Sequence, residues 1–346
     1  MKKILFIFSI SILCFSCKKE YQPRDFNTIS IQEFKMNSTS IRTIHALSAD
    51  EIYFAGSIGD IGHSSDGGKS WTNKYIKYND SIIPHFRSMA SNGTDLFVLA
   101  VESPTLLYKI TDNTSKLVYS ENHEKAFYDS MKFFDTNNGI AMGDPTDNCL
   151  SIILTSDGGN SWHKIPCDKL PLAADGEAAF AASNTNIKVL KNTVWIVTGG
   201  KKARVFKSID KGQSWEVYDT PIVQGIQTQG IYSVDFFDEN NGIIFGGDYS
   251  KPNLNTSNKA ITIDGGKTWT LVADNQTPNY KSCVQYVPNT NGKEVFAVGK
   301  TGVSFSNDGG ITWKDVSKDS YYTIQFVDKN TAWLSGHEKI GKLVLK

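Results

Sequence analysis

Four arginines occur in the chain, at positions 24, 42, 87 and 204. Their guanidinium groups are suited to gripping an anion, because the planar fork offers a carboxylate two parallel N–H donors. When the apolar stretches that open each repeat are aligned, Arg42 and Arg87 fall in one column with Asp129, Ala178, Tyr232, Ser282 and Tyr322, and Glu177 lies beside it. A column of charged and phenolic groups near one axis is a candidate binding site. The same groups could equally pair with one another and with channel water. Asp144, Arg204, Asp248 and Tyr249 belong to loops expected on the same face, where loops on a rigid scaffold converge.

A second set of acids is periodic. Asp66, Asp157, Asp210, Asp264 and Asp308 each sit in the pattern Ser/Thr-x-Asp-x-Gly-x-Ser/Thr-Trp, ending at Trp71, Trp162, Trp215, Trp269 and Trp313. Recurrence on separate units keeps these carboxylates apart, so each is read as the cap of its own turn, accepting backbone N–H bonds. His45, His63, His85, His123, His163 and His337 show no ligand spacing, so no metal is expected. No Gly-rich phosphate loop and no CxxC pair occur, so no cofactor is expected either. Formal charge is zero, with 36 basic and 36 acidic residues, which removes the counterion-release term that holds nucleic acid.

The elements that must carry these residues are strands. An Asp/Gly turn between apolar alternations reads as a β-hairpin. Residues 232–272 show the full unit: an apolar strand, a turn at 238–242, a second strand, a long loop, a third strand, the box and a fourth strand. That is a four-stranded antiparallel propeller blade. The box tryptophans are spaced 91, 53, 54 and 44 residues apart, so the 91-residue gap holds a blade without a box, with Tyr108-Lys109-Ile110-Thr111-Asp112-Asn113 in its place. The expectation is an all-β, seven-bladed β-propeller with blades at 41–78, 85–120, 126–168, 177–221, 230–275, 282–317 and 321–346, the last completed by 29–36. Such closure by an N-terminal strand removes exposed edges. Box turns and first turns share one face, and the loops at 57–62, 102–104, 144–148, 199–204, 247–258, 300–302 and 336–341 share the other.

Five boxes in such a ring resemble the BNR-repeat propellers, which include sialidases, sortilin-type receptors and the photosystem II assembly factor of plants and cyanobacteria. The segments 143–147, 176–183, 203–208 and 246–252 resemble a bacterial branch related to that assembly factor and often labelled oxidoreductase. The resemblance implies a non-catalytic scaffold whose loop-bearing face binds another envelope protein or a protein precursor. Its alternative implication is a sialidase-like glycoside hydrolase, with Arg42, Arg87 and Arg204 as the clamp, Tyr232 or Tyr322 as nucleophile supported by Glu177, and Asp129 as acid. The chain departs from the sialidase pattern, since Arg42 is followed by Thr43 and Ile44 rather than by Ile-Pro, and those enzymes have six blades.

Lys2 and Lys3, the apolar run 4–15 and Ser16-Cys17 read as a lipoprotein signal over residues 1–17, with Cys17 lipidated and 18–28 a polar tether to a propeller spanning 29–346. The protein is then exported, monomeric, and held in a bacterial cell envelope by its lipid alone, at the outer membrane or facing the periplasm. Cys149 and Cys167 are equidistant from Gly158 at the centre of a box hairpin, which would set them opposite one another in an oxidising compartment. A bulge would send them to opposite faces. Cys283 is left as a buried thiol.

Overall fold

The computed structural model describes residues 21–111 and 114–346. Residues 1–20, with the signal and Cys17, and residues 112–113 of the degenerate box lie outside the described residues. The chain is an all-β propeller of four-stranded antiparallel blades. Among the described residues, the one helix is the single-turn 3-10 segment Cys167–Lys169. The hydrophobic core lies between neighbouring blades. Ala55, Ile61 and Ile76 of one pack on Phe86, Val98 and Leu106 of the next.

Each box aspartate is taken up by its own turn, and in four of the five boxes the Trp indole N–H is as well, Trp162 Nε1 being left without a partner among the described residues. In the box at Asp264, the Oδ1 accepts from Thr262 Oγ1 (2.8 Å) and the Thr268 N–H (3.0 Å), Oδ2 accepts from Thr268 Oγ1 (2.6 Å), and Trp269 Nε1 donates to Gly266 O (3.0 Å). Gly265 and Gly266 have φ of 77° and 88°, which this turn requires and L side chains resist. The Trp269 ring then meets Phe236 edge-on at 6.0 Å.

The ladders divide the described strands into six sheets, four with four strands and two with six, where seven separate blades were expected. Long strands cause the merging. Ile31–Ala46 pairs with Thr331–Val344 through Ile31↔Leu343 to Lys35↔Lys339, shifts register before Ser40, and then pairs with Ile52–Gly56 through Ile41↔Gly56 to Ala46↔Ile52.

A second difference lies at 177–221. Glu177–Ala178 pairs with Gly199–Gly200, which in turn pairs with Gln229–Phe236, and the inner strand beside Thr193–Val197 is Ile187–Leu190. Residues 179–186 leave the ladders and cross the axis. Asn184 Nδ2 donates to Thr43 Oγ1 (3.1 Å) and Met89 O (2.8 Å), and its Oδ1 accepts from the Met131 N–H (3.1 Å). Ser183 Oγ donates to Ser282 O (2.7 Å), Thr185 Oγ1 shares a hydrogen bond with Ser233 Oγ (2.7 Å), and Ser130 Oγ donates to Asn186 Oδ1. This strap escaped the sequence reading because the run Glu177-Ala178-Ala179-Phe180-Ala181-Ala182 is apolar enough to pass for an inner strand.

Cys149 and Cys167 are joined by a disulfide with Cα atoms 5.6 Å apart. The route differs from a hairpin centred on Gly158. The ladder pairs Ile153 with Lys164 and Leu154 with His163, one residue off that register, and it ends before either cysteine. The 3-10 turn at Cys167 brings the thiol back to Cys149. Cys283 is free and buried.

The tether reading of 18–28 also needs correction over its described residues. Arg24 makes a two-pronged ion pair with Glu294, whose side chain is fully buried, with Nε–Oε2 at 3.0 Å and Nη2–Oε2 at 2.6 Å. Tyr21 donates its hydroxyl to the same carboxylate at 2.5 Å, and Phe26 packs edge-on against Phe305 at 5.0 Å. A polar stretch reads as solvated in sequence because its partner, Glu294, lies 270 residues away.

Removing the cation from this pair strands a buried carboxylate. Arg24→Ala should lower the unfolding free energy by roughly 3–5 kcal/mol in urea titrations at neutral pH. A loss within about 0.5 kcal/mol, typical of a surface change, would show the segment to be a tether after all.

Candidate functional site

The strap divides the axial channel. On the loop-bearing side it floors a cavity of about 630 Å³ whose lining includes Arg42, Arg87, Phe180, Tyr232, Tyr249 and Tyr280. Arg42 stands at the start of its inner stretch, donates Nη1–H to Ala182 O (3.2 Å), and lies over the Tyr322 ring at 4.1 Å. Arg87 donates Nη1–H to Ala181 O (3.3 Å) and Nε–H to His85 Nε2 (3.4 Å). Among the described residues neither arginine makes an ion pair. Burial and the neighbouring Arg42 charge pull the Arg87 guanidinium below its ordinary value. His85 is pushed down to about 4 by burial and then by the same two charges, so it is neutral and free to accept from Arg87. The cavity thus holds two adjacent cations that are not matched by a contacting carboxylate.

Two acids stand behind them. Asp129 is fully buried, with both carboxyl oxygens unpartnered. Burial first, and the charge of Asp144 second, raise it well above the ordinary carboxylate range, with Arg87 opposing. Asp144 lines the cavity and accepts the Ala179 N–H at 2.7 Å; burial raises it to about 6. Burial therefore favours the neutral form of Asp129 and weakens the negative charge it can set against the arginines.

The opposite wall is aromatic. Phe180 stacks on Tyr232 at 3.9 Å with rings 8° from parallel, and Tyr280 and Tyr249 meet Tyr232 edge-on at 4.9 and 6.4 Å. The Tyr232 hydroxyl donates to Thr228 O at 2.9 Å, and burial first raises its pKa far above the ordinary phenol value. Tyr249 is 43% exposed and forms the rim.

The sequence-derived residues separate here. Arg42, Arg87, Asp144, Glu177, Ala178, Tyr232 and Tyr249 line one cavity. Asp129, Tyr322 and Ser282 lie beside or behind it, and Ser282 spends its hydroxyl on Tyr322 O (2.7 Å). Arg204 does not join the other arginines. It pairs with Glu177, its Nε donating to Oε1 at 3.0 Å, while Thr198 Oγ1 and the Ala174 N–H fill the rest of that carboxylate. Asp248 is turned into its own loop and accepts from Ser250 Oγ at 2.6 Å, which holds it below its ordinary value although burial pushes the other way. The three arginines, phenol and free carboxylate of a sialidase-type site are therefore not assembled. Sequence reading missed Phe180, Tyr280 and the strap carbonyls, and the signal available for them was only the unusual Ala-Ala-Phe-Ala-Ala run.

No family model matches the chain, and no curated protein matches it. The fold has many solved relatives. A structure described as YCF48 bound to D1 peptide superposes with a TM-score of 0.66 at 13% identity, covering 94% of this chain and all of that one. YCF48 from Cyanidioschyzon merolae gives 0.65 at 14% identity, covering 91% and 98%. The RRP9 WD40 repeats give 0.67 at 13% identity, covering 93% and 100%. At these identities the likeness shows the β-propeller fold alone.

Because Asp129 holds a proton that it loses on unfolding, it contributes stability that is complete below the ordinary value of 3.8 and is lost as pH rises toward its raised folded value. Asp129→Asn keeps the neutral form at every pH. Its stability relative to the unsubstituted protein should therefore climb as pH rises above 3.8, and the infrared carbonyl band of a protonated acid at neutral pH should vanish. Parallel stability curves with no band lost would mean that Asp129 is ionised.

Proposed function

We propose that this chain is a non-catalytic protein-interaction scaffold whose loop-side cavity receives an anionic group of a partner polypeptide. The observation that carries the reading is the adjacency of Arg42 and Arg87 in an open cavity without an ion pair. A guanidinium pair held by backbone carbonyls keeps its remaining donors for a carboxylate, and the wall of Phe180, Tyr232, Tyr249 and Tyr280 suits the apolar chain beside it. Peptide binding by a propeller of similar fold, YCF48 with D1 peptide, supports the class of partner. No observation favours the glycoside hydrolase, since Glu177 is committed to Arg204.

We further propose that the ring counts seven blades and belongs among Asp-box propellers of the assembly-factor type. Seven inner positions support the count: His45, Ala90, Lys132, Lys188, Asp235, Gln285 and Gln325 occupy equivalent places in successive inner strands. Pairing of Ile31 to Lys35 with Leu343 to Lys339 supports residues 29–36 as the outer strand of the last blade. An exported protein, lipid-anchored at Cys17 in a bacterial envelope, is supported by the basic and apolar start of the sequence and by a disulfide that persists in oxidising compartments.

Full-length protein should capture a specific polypeptide from solubilised envelope. Arg42→Gln with Arg87→Gln should weaken that capture by roughly 1.5–3 kcal/mol per arginine, more than tenfold, at unchanged melting temperature. Cys17→Ala should shift the protein from the membrane to the soluble fraction. Undiminished capture by the double variant sinks the cavity reading, and unchanged fractionation sinks the anchor.

A further inference from the structure

The other end of the axial channel holds a second chamber, of about 250 Å³, on the face of the box turns. The strap is its floor as well, through Ser183, Asn184 and Thr185. Two lysines, Lys132 and Lys188, enter it from neighbouring inner strands, and one acid, Asp235, does so from a third. Lys188 Nζ and Asp235 Oδ1 are 2.5 Å apart, and Asp235 Oδ2 accepts the Tyr286 N–H at 2.7 Å, so each carboxylate oxygen has a protein partner. Lys132 has no hydrogen-bond or ion-pair partner among the described residues. The chamber therefore carries two cations against one anion.

Two amides add donors. Gln285 Oε1 accepts the Phe326 N–H at 2.9 Å, and Gln325 Oε1 accepts the Ala46 N–H at 3.0 Å. A backbone N–H can meet only the oxygen of a side-chain amide, so these bonds fix which end is which. Each amide nitrogen, with two N–H groups, is then left without a protein acceptor among the described residues, and both glutamines line the chamber. Ammonium and amide donors predominate, and the one carboxylate is already bound.

We propose that this lower chamber is a binding site for a small oxyanion, a sulfate, phosphate or carboxylate group, held by Lys132 and Lys188 and by the amides of Gln285 and Gln325. A water molecule occupies about 30 Å³ of liquid, so the chamber admits such a group with a few waters and excludes a large ligand. The site is independent of the arginine cavity across the strap. Its titratable neighbours define the pH response. Lys132 is lowered to about 8 by burial and by Lys188, with Cys283 and Asp235 opposing; the Cys283 thiol is raised by burial; and His45, lowered to about 4 by burial and Lys132, is neutral. Lys132 is thus a cation below about 8 and loses its charge above it, so anion binding is strongest on the acid side.

The test is calorimetric titration of sulfate, phosphate and succinate into full-length protein at low salt. Lys132→Gln should lose one bound anion per chain, or weaken its affinity more than tenfold, while Arg42→Gln with Arg87→Gln should retain that anion. In the unsubstituted protein, sulfate should bind at least tenfold more weakly at about pH 9.5 than at about pH 6.5. This pH arm needs no variant to fold. Preference for succinate assigns the chamber to a carboxylate side chain of a partner, and preference for sulfate or phosphate assigns it to a free inorganic anion. The proposal is overturned if none of the three probes binds, if Lys132→Gln binds as the parent does, or if sulfate affinity is the same at both pH values.

Discussion

One asparagine side chain holds the centre of the ring. Asn184 donates to Thr43 and Met89 and accepts from Met131, so a single amide ties together three inner strands that are separate in sequence. Its φ of 59° lies in the left-handed region, where asparagine is tolerated better than most residues. The two demands coincide at one position. A buried backbone crossing an axial channel has no ladder to satisfy it, and unpaired buried polar groups cost of order 1–3 kcal/mol each. The strap's backbone is met instead by scattered partners: Arg87 and Arg42 donate to Ala181 O and Ala182 O, Asp144 accepts the Ala179 N–H, and the Val234 and Val197 N–H groups donate to Thr185 O and Asn186 O.

The strap also decides the electrostatics at both ends. Its carbonyls at Ala181 and Ala182 take one donor each from Arg87 and Arg42 and thereby hold two like charges side by side without a contacting acid. Burial favours the neutral form of Asp129 and so weakens its charge beside them, while Glu102 acts on Arg87 without contacting it. On the lower side, the inner strands place lysines and amide donors around the same segment. Both ends of the channel therefore favour anions, although the whole chain is neutral, because net charge constrains the sum and not the distribution.

The box turns have the opposite character. Each keeps its carboxylate for its own backbone, as Asp264 does with Thr262, Lys267 and Thr268, and each sits on the side of the blade away from the arginine cavity. They stabilise hairpins and set the spacing of the tryptophans between blades, so the most visible motif in the sequence contributes architecture.

What the sequence alone determined follows from interactions a few residues long. The box hydrogen bonds close within about seven residues, and strand alternation and turn chemistry are local, so the propeller class, the four-stranded blade and most of the cavity's polar residues were legible. The tertiary structure alone decided matters that depend on groups far apart in sequence. Residues 179–186 cross the axis because partners on four inner strands, and Ser282 just before a fifth, receive them. Arg24 is docked because Glu294 is buried opposite it, and Arg204 leaves the arginine group because Glu177 captures it. Sheet continuity at Ile31–Ala46 likewise depends on a partner strand at the far end of the chain, Thr331–Val344. Local pattern carries no information on such partners, since an apolar run or a lone charge reads the same whether the group that satisfies it is water or a residue 270 positions away.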